Sequence, residues 1–166
     1  MRSLVAVLLA TMVLAGCVSR EGGTPDGDGT TATTPAAGPV DLAVPIELRP
    51  VLETESADPT VIVLPTEDGE RLTLAEPMLT IRRLDSAEVR FENNTWALIL
   101  DLDDADGQTF GDWTAAHTGE RLAMVADDEV IMAPQIQSAI TGGEIQITGD
   151  YTQDEVQDLL DRITGR

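Results

Sequence analysis

Short apolar blocks separated by turn-forming residues follow one another along the chain from residue 45 onward, a pattern typical of strands joined by tight hairpins. The blocks "VIVLP" and "RLTL" flank Asp68 and Gly69, and the blocks "AEVRF" and "WALILDL" surround Asn93 and Asn94. Both residue pairs tolerate the positive φ angles that two-residue hairpin turns require. We therefore predict two β-hairpins, with residues 97–102 forming a central strand.

The first apolar block, "PIELRPVLETE", begins at Pro45 and predicts an extended segment that opens the folded domain. Pro50 has no backbone N–H to donate to a neighbouring strand, so we expect this segment at an edge of the sheet. The stretch through Pro77 and Leu79 shows no regular period and is expected to be irregular.

A helix is predicted over "GQTFGDWTAAHT", because the Asp106 carboxylate can cap its first amides and Gly119 suits its C-terminal end. Its predicted apolar face consists of Phe110, Trp113 and either Ala116 or His117. Two further strands, "RLAMVA" and "EVIMA", surround Asp127 and Asp128. A connection containing Pro134 and the pair Gly142 and Gly143 then leads to the strand "EIQIT".

The last helix has the clearest signal, because Thr152 and Glu155 have the spacing of a capping box. Its apolar stripe at helical spacing consists of Val156, Leu159, Leu160 and Ile163. These elements predict an α+β fold over residues 45–166, with a mostly antiparallel sheet and two helices packed on one face.

The N-terminal residues carry the pattern of a lipoprotein signal peptide. Arg2 precedes an apolar stretch from Leu4 to Leu14, and Ala15 and Gly16 stand directly before Cys17, the one cysteine of the chain. The stretch is shorter than the roughly 20 apolar residues that span a bilayer. A buried helix with a packed thiol is the alternative, but no cap or amphipathic period supports it. We expect cleavage before Cys17, removal of residues 1–16, and modification of Cys17 with a diacylglyceryl group that carries two fatty acyl chains such as palmitate.

Residues 17–44 are mostly Gly, Thr, Pro, Ala and Asp, which cannot bury enough apolar surface to order themselves. We expect a lipidated, flexible linker. The folded domain would then be held at the outer face of the cytoplasmic membrane, or at the outer membrane if the envelope has two.

The charge balance excludes one class of partner. The formal net charge is −20 and the pI is about 4.1, so phosphate backbones repel the protein and nucleic-acid binding is excluded. All ten positive charges are arginines, a codon bias typical of GC-rich genomes such as those of actinobacteria. Since 42% of the residues are hydrophobic and only 3% aromatic, the core is expected to be aliphatic.

No residue set indicates catalysis. His117 is the one histidine and lies on a predicted helix beside Trp113, where a solvated or helix-end histidine is a simpler interpretation than a general base. No serine occurs in a G-x-S-x-G turn, and the cysteine is expected to be lipidated. We predict no catalytic residues, no cofactor and no enzyme activity.

The acidic run "DLDDADG", residues 101–107, does not fit the calcium-binding loop of an EF-hand. With Gly107 at the sixth position, the first and twelfth ligand positions would be Leu102 and Trp113, neither of which offers an oxygen ligand. We therefore predict no metal site and expect the acidic residues to begin a helix, where negative charge suits the helix dipole. These residues are Asp103, Asp104 and Asp106.

The segment of residues 119–160 resembles the head of the first periplasmic domain in the SecD/SecDF protein-export family. The residues that carry the resemblance, in order, are Gly119, Leu122, Ala123, Asp127, Pro134, Ile136, Ile147, Gly149, Tyr151 and Thr152. The upstream segments "IELRPVL", "EPMLT" and "WALILDLDDADGQTFGDWT" follow the family's order, so the likeness covers most of residues 46–163. Asp128 departs from the pattern, because the family usually has a glycine there.

The resemblance implies contact with unfolded polypeptide leaving the translocon. The chain ends at Arg166, before the family's base segment and proton-coupled membrane helices, so we expect a passive role in export. An exposed strand edge or a shallow aliphatic groove would capture the polypeptide by backbone pairing. The alternative is an adaptor that binds a folded envelope partner such as a translocon component. A hydrolase or metal enzyme is less favoured, and the polypeptide-binding residues are unknown from sequence.

Overall fold

The computed structural model describes residues 38–54, 56 and 58–166. The predicted signal peptide, Cys17 and most of the predicted linker lie outside the described residues. The first strand begins at Val40, five residues before the predicted start at Pro45. Val40 is buried and pairs with Leu84 of a neighbouring strand, so this part of the predicted linker segment belongs to the sheet.

The described residues form eight strands and two helices. The elements are β1 (Val40–Leu52), β2 (Ile62–Pro65), β3 (Arg71–Leu74), β4 (Leu79–Glu92), β5 (Thr95–Leu102), α1 (Asp104–Ala116), β6 (Leu122–Ala126), β7 (Glu129–Met132), β8 (Glu144–Thr148) and α2 (Gln153–Thr164). Neither of these helices has the length and apolar character needed to cross a membrane.

The sheet is organised around β1. Ile46 pairs with Ile81 of β4 on one side and with Ala126 of β6 on the other, so β1 is a central strand. The order is β7-β6-β1-β4-β5-β8, with the β2–β3 hairpin joined to the C-terminal end of β1. Every pairing among the described strands is antiparallel.

The prediction that Pro50 marks a sheet edge was wrong. Pro50 faces the point where β1 changes its partner from β4 to β3, and its carbonyl accepts a hydrogen bond from the N–H of Ala75 at 2.9 Å. The Ala75 carbonyl, which would otherwise pair with an N–H at position 50, accepts from the Arg49 guanidinium at 2.8 Å. A side chain therefore replaces the missing backbone donor.

The segment around Leu79, expected to be irregular, is the first part of the 14-residue strand β4. Its buried residues Ile81, Leu84 and Ala87 are spaced by three, which hides the two-residue period of a strand. The extra residue in the register shift between Leu84 and Ser86 explains the interval from Leu84 to Ala87, because it reverses which side chains face the core. The pairing of β4 with β1 is also irregular between Ile81 and Arg83, where the other three-residue interval falls.

The predicted hairpins are confirmed. Asn93 and Asn94 have φ angles of 50° and 66° between β4 and β5, and Gly69 has a φ of 83° between β2 and β3. Asp127 and Asp128 adopt φ angles of 54° and 61° between β6 and β7. The β6–β7 turn therefore closes although an aspartate stands where the family usually has glycine.

Helix α1 begins earlier than predicted. Asp103, rather than Asp106, is the N-cap, and its carboxylate accepts from the N–H groups of Ala105 at 3.0 Å and Asp106 at 2.9 Å. The acidic run does begin a helix, as expected. Its C-cap is His117, not Gly119, and its buried face differs from the predicted one because Trp113 is only half-buried. The buried positions are Gly107, Phe110, Gly111 and Thr114.

Helix α2 has the predicted capping box between Thr152 and Glu155. The helix ends at Gly165, whose φ of 73° is left-handed. Both helices contribute to one apolar cluster with one face of the sheet, which confirms the α+β fold with two helices on one face. The helical members of this cluster are Phe110, Val156, Leu160 and Ile163. On the opposite face, the β2–β3 hairpin covers β6 and β7 in a second, smaller cluster.

Candidate binding cleft

Strands β7 and β8 are the two edges of the main sheet. Within the described residues, β7 pairs only with β6, and β8 pairs only with β5. Each strand therefore keeps one side of its backbone without a strand partner. Free strand edges of this kind are the surfaces to which extended peptides add by backbone hydrogen bonding.

The two edges border the same pair of depressions. A depression of about 250 Å³ is lined by Ile131 of β7 and Ile147 of β8, and one of about 320 Å³ is lined by Met132 of β7 and Ile145 of β8. Because both strands line both depressions, we treat the two depressions together as one surface. We call this the edge cleft, with the smaller depression as its acidic end and the larger as its amide end.

The acidic end has an apolar floor and a charged rim. The floor consists of Val130, Ile131, Ile147, Tyr151, Val156 and Leu159. The rim carries the carboxylates of Glu67, Glu129, Glu155 and Asp158 and one cation, Arg162. The Arg162 guanidinium is already paired with Glu129. The rim is therefore strongly negative.

The electrostatics of the acidic end are visible at Tyr151. Burial raises the pKa of its hydroxyl, and the charges of Glu67, Glu155 and Glu129 raise it further. The Thr152 backbone and hydroxyl, each 2.8 Å from Glu155 Oε2, lower the pKa of Glu155. Three rim carboxylates thus raise the pKa of the same hydroxyl, and the hydrogen bonds from Thr152 favour the ionised form of one of them, Glu155.

The amide end is more neutral. Its apolar lining includes Phe110, Ile136, Ile140 and Ile145, and its polar lining is mainly Gln135, Gln137 and Ser138 with the single carboxylate of Glu144.

The wall of the amide end is fixed to α1. The buried Thr114 hydroxyl accepts from the Ile140 N–H at 3.0 Å and donates to the Gly111 carbonyl at 3.1 Å. A Cβ on Gly111 would lie 3.3 Å from the Ile140 carbonyl oxygen, a tight contact that would push helix and loop apart by a few tenths of an ångström. The wall of the cleft is therefore formed before any ligand arrives.

The residues weighed for catalysis and metal binding lie outside the edge cleft. His117 donates from Nδ1 to the Trp113 carbonyl at 2.7 Å and stacks on the Trp113 ring at 4.0 Å. Asp103, Asp104 and Asp106 form the start of α1, and burial together with the Asp103 charge raises the pKa of Asp106. In the part of the chain that the structure describes, no three His, Cys, Asp or Glu residues are grouped closely enough to hold a metal ion.

The sequence alone assigns no residue to a binding cleft. The one local signal is the alternation in "EIQIT", whose burial pattern leaves Glu144, Gln146 and Thr148 exposed. That alternation is typical of a strand with one solvated face. It does not predict that β7 and β8, at opposite ends of the strand order, line the same depressions.

Comparison with known proteins identifies the family. The sequence profile of the SecDF P1 head subdomain matches residues 60–163. The chain belongs to this family. The P1 head of this chain is also 34% identical over 113 residues to the protein translocase subunit SecD of Rhodobacter capsulatus, covering 68% of this chain and 18% of that protein. The SecD subunit of Aquifex aeolicus is 37% identical over 100 residues, covering 58% of this chain and 20% of the relative.

Solved structures agree on the fold of the P1 head. A structure described as a membrane component SecDF that enhances protein export superposes with a TM-score of 0.54 at 22% identity, covering 72% of this chain and 61% of that one. SecDF in a super-membrane-facing form gives a TM-score of 0.52 at 20% identity, covering 72% and 22%. The chain spans about a fifth of the length of the SecD relatives named above.

Proposed function

We propose that this P1 head is a non-enzymatic, membrane-anchored protein that binds extended polypeptide and assists protein export passively across the cytoplasmic membrane. The observation that carries the proposal is the edge cleft, in which two unpaired strand edges face an apolar floor. The relatives named protein translocase subunit SecD supply the export context.

Strand addition gives the cleft its chemistry. An extended segment that pairs with β8 satisfies the outward backbone groups of that strand, while every second side chain points to the floor. The partly exposed side chains of Ile131 and Leu159 line the cleft above buried residues such as Ile147, so aliphatic side chains of the incoming segment would meet an aliphatic surface. Backbone pairing is indifferent to sequence, which suits a protein that meets many secreted chains.

Passive capture can bias export without an energy source. A segment bound outside the membrane cannot slide back, so binding stabilises the exported state by RT ln(1 + [L]/Kd). At an effective concentration of about 1 mM for two chains held at one membrane and a Kd of about 100 µM, the bias is about 1.4 kcal/mol, or tenfold. Weak binding is therefore sufficient.

Lipidation of Cys17 is the anchor in this proposal, with the cleft held at the outer face of the membrane. Because two acyl chains bind a bilayer durably, Cys17→Ser should move the protein from the membrane fraction to the soluble fraction. Membrane retention of Cys17→Ser would contradict the proposed anchor.

Site-specific photo-crosslinking tests the binding function. A photoreactive residue at Gln137 or Asp158, both on the rim of the edge cleft, should form adducts with secretory precursors that are in transit. The same residue at Glu76, an exposed position that borders neither depression, is the matched control. Absence of precursor adducts at the rim would refute polypeptide binding. Adducts with a folded translocon component alone would favour the adaptor alternative.

A further inference from the structure

The two ends of the edge cleft differ in charge, although both have apolar floors. Four carboxylates and one paired arginine line the acidic end, whereas one carboxylate lines the amide end. An extended segment that fills the cleft therefore meets a strong negative potential along one part of its length and a neutral amide surface along the other. A ligand with uniform charge would not suit both ends.

Two of the four rim carboxylates are available to a ligand. Glu129 is paired with Arg162, and Glu155 accepts the capping hydrogen bonds of Thr152. Glu67 and Asp158 are exposed, and neither makes a hydrogen bond or ion pair with another described residue. They come from separate elements, the β2–β3 turn and α2 respectively, and border the same depression.

We propose that the edge cleft selects extended polypeptide segments in which aliphatic residues alternate with lysine or arginine at one end and with uncharged residues at the other. The basic side chains lie against Glu67 and Asp158, and the uncharged part lies against the amide end. This inference rests on the proposed polypeptide-binding function and adds to it a ligand class and a fixed placement along the cleft.

The expected effect is moderate, because the rim is exposed to solvent and salt. Exposed ion pairs are weak individually, so two of them should give about a fivefold preference for a basic segment over a neutral one. The preference should shrink as ionic strength rises, since the screening length falls from about 10 Å at 0.1 M salt to about 3 Å at 1 M.

The test uses the full chain and three labelled nine-residue peptides whose affinities are compared by fluorescence anisotropy. All three alternate valine with polar residues, and two polar positions at one end are lysine, glutamine or glutamate. The variant Glu67→Gln with Asp158→Asn removes two charges at the rim. The matched control, Glu76→Gln with Asp112→Asn, removes two exposed charges that border neither depression. Thermal melts confirm that both variants remain folded.

We expect the lysine peptide to bind about fivefold more tightly than the glutamine peptide, and the glutamate peptide to bind most weakly. The rim variant should lose this preference, and the control variant should keep it. Equal binding of all three peptides would overturn the charge selectivity while supporting polypeptide binding. An equal loss of preference in both variants would assign it to the net charge of −20 and overturn the placement at the rim. Absence of binding by every peptide would overturn the proposed function and this inference together.

Discussion

The backbone pattern of β8 gives a sharp way to test strand addition. The Leu102 N–H donates to the Gly143 carbonyl at 2.9 Å, and Asp101 lies opposite Glu144, so this pair does not exchange backbone hydrogen bonds. The pattern alternates along an antiparallel ladder. Ile145 and Ile147 therefore bond to β5, and the N–H of Gln146 points outward into the cleft.

Gln146→Pro removes this outward donor and leaves the β5–β8 ladder intact. Proline is tolerated on an edge strand when its nitrogen faces away from the ladder, so the domain should remain folded. A peptide added to β8 loses one backbone hydrogen bond, worth about 1 kcal/mol net, or about fivefold in Kd. The proline ring also crowds the incoming strand, so fivefold is the minimum loss.

The assay is anisotropy with the neutral valine–glutamine peptide, which keeps the result independent of rim charge. Gln146→Ala retains the N–H and removes only the side chain, so it should bind as the unaltered chain does. Ile147→Pro removes an inward donor and should destabilise the domain itself, which tests the assigned alternation. A folded Gln146→Pro protein with unaltered peptide affinity would refute strand addition at β8.

Three further predictions concern the elements that support the cleft. Asp103→Ala should destabilise the domain by about 1 kcal/mol by removing the N-cap of α1, whereas Asp106→Ala should not, as chemical denaturation will show. Thr114→Val leaves the Ile140 N–H without its acceptor, so the free energy of unfolding should fall by about 1–3 kcal/mol. Thr114→Ser keeps a hydroxyl and should be nearly as stable as the unaltered chain. Equal melting temperatures for the two variants would contradict the role of the hydroxyl. Folding lowers the pKa of Glu155, so the contribution of this carboxylate to stability is present at neutral pH and is lost as pH falls below about 4.5. Glu155→Gln should remove that part of the acid dependence of the melting temperature. A pH profile of the melting temperature that is unchanged in Glu155→Gln would contradict this role.

Turns and helix caps that depend on neighbouring residues could be predicted from the sequence. The turn at Asn93 and Asn94 and the cap at Thr152 depend on residues only a few positions apart, and both are confirmed. The prediction that Pro50 lies at a sheet edge was wrong because the Ala75 carbonyl, 25 positions along the chain, accepts its hydrogen bond from the Arg49 side chain instead of from a backbone N–H. The start of α1 was predicted too late because several aspartates in this run could serve as the N-cap. In the structure the chain turns into the helix directly after β5, so the Asp103 carboxylate accepts hydrogen bonds from the first free N–H groups.

The edge cleft depends on contacts that no local pattern encodes. Strand β8 shows an alternation typical of a half-exposed strand, but β7 has no comparable signal. The two strands stand at opposite ends of the strand order and line the same depressions only in the folded sheet. The rim charge is equally nonlocal, since Glu67 on the β2–β3 turn and Asp158 on α2 are 91 positions apart in sequence and border one depression. Composition indicates an acidic protein but not where that charge is placed.

Amide hydrogen exchange measured by NMR, with and without the neutral peptide, tests most directly whether polypeptide binds by adding a strand to β8. If the peptide adds a strand to β8, the outward amides of β8, Gln146 above all, should exchange more slowly when it is bound, while the inward amides of Ile145 and Ile147 should change little. Peptide binding that leaves the exchange of Gln146 unchanged would rule out strand addition at β8.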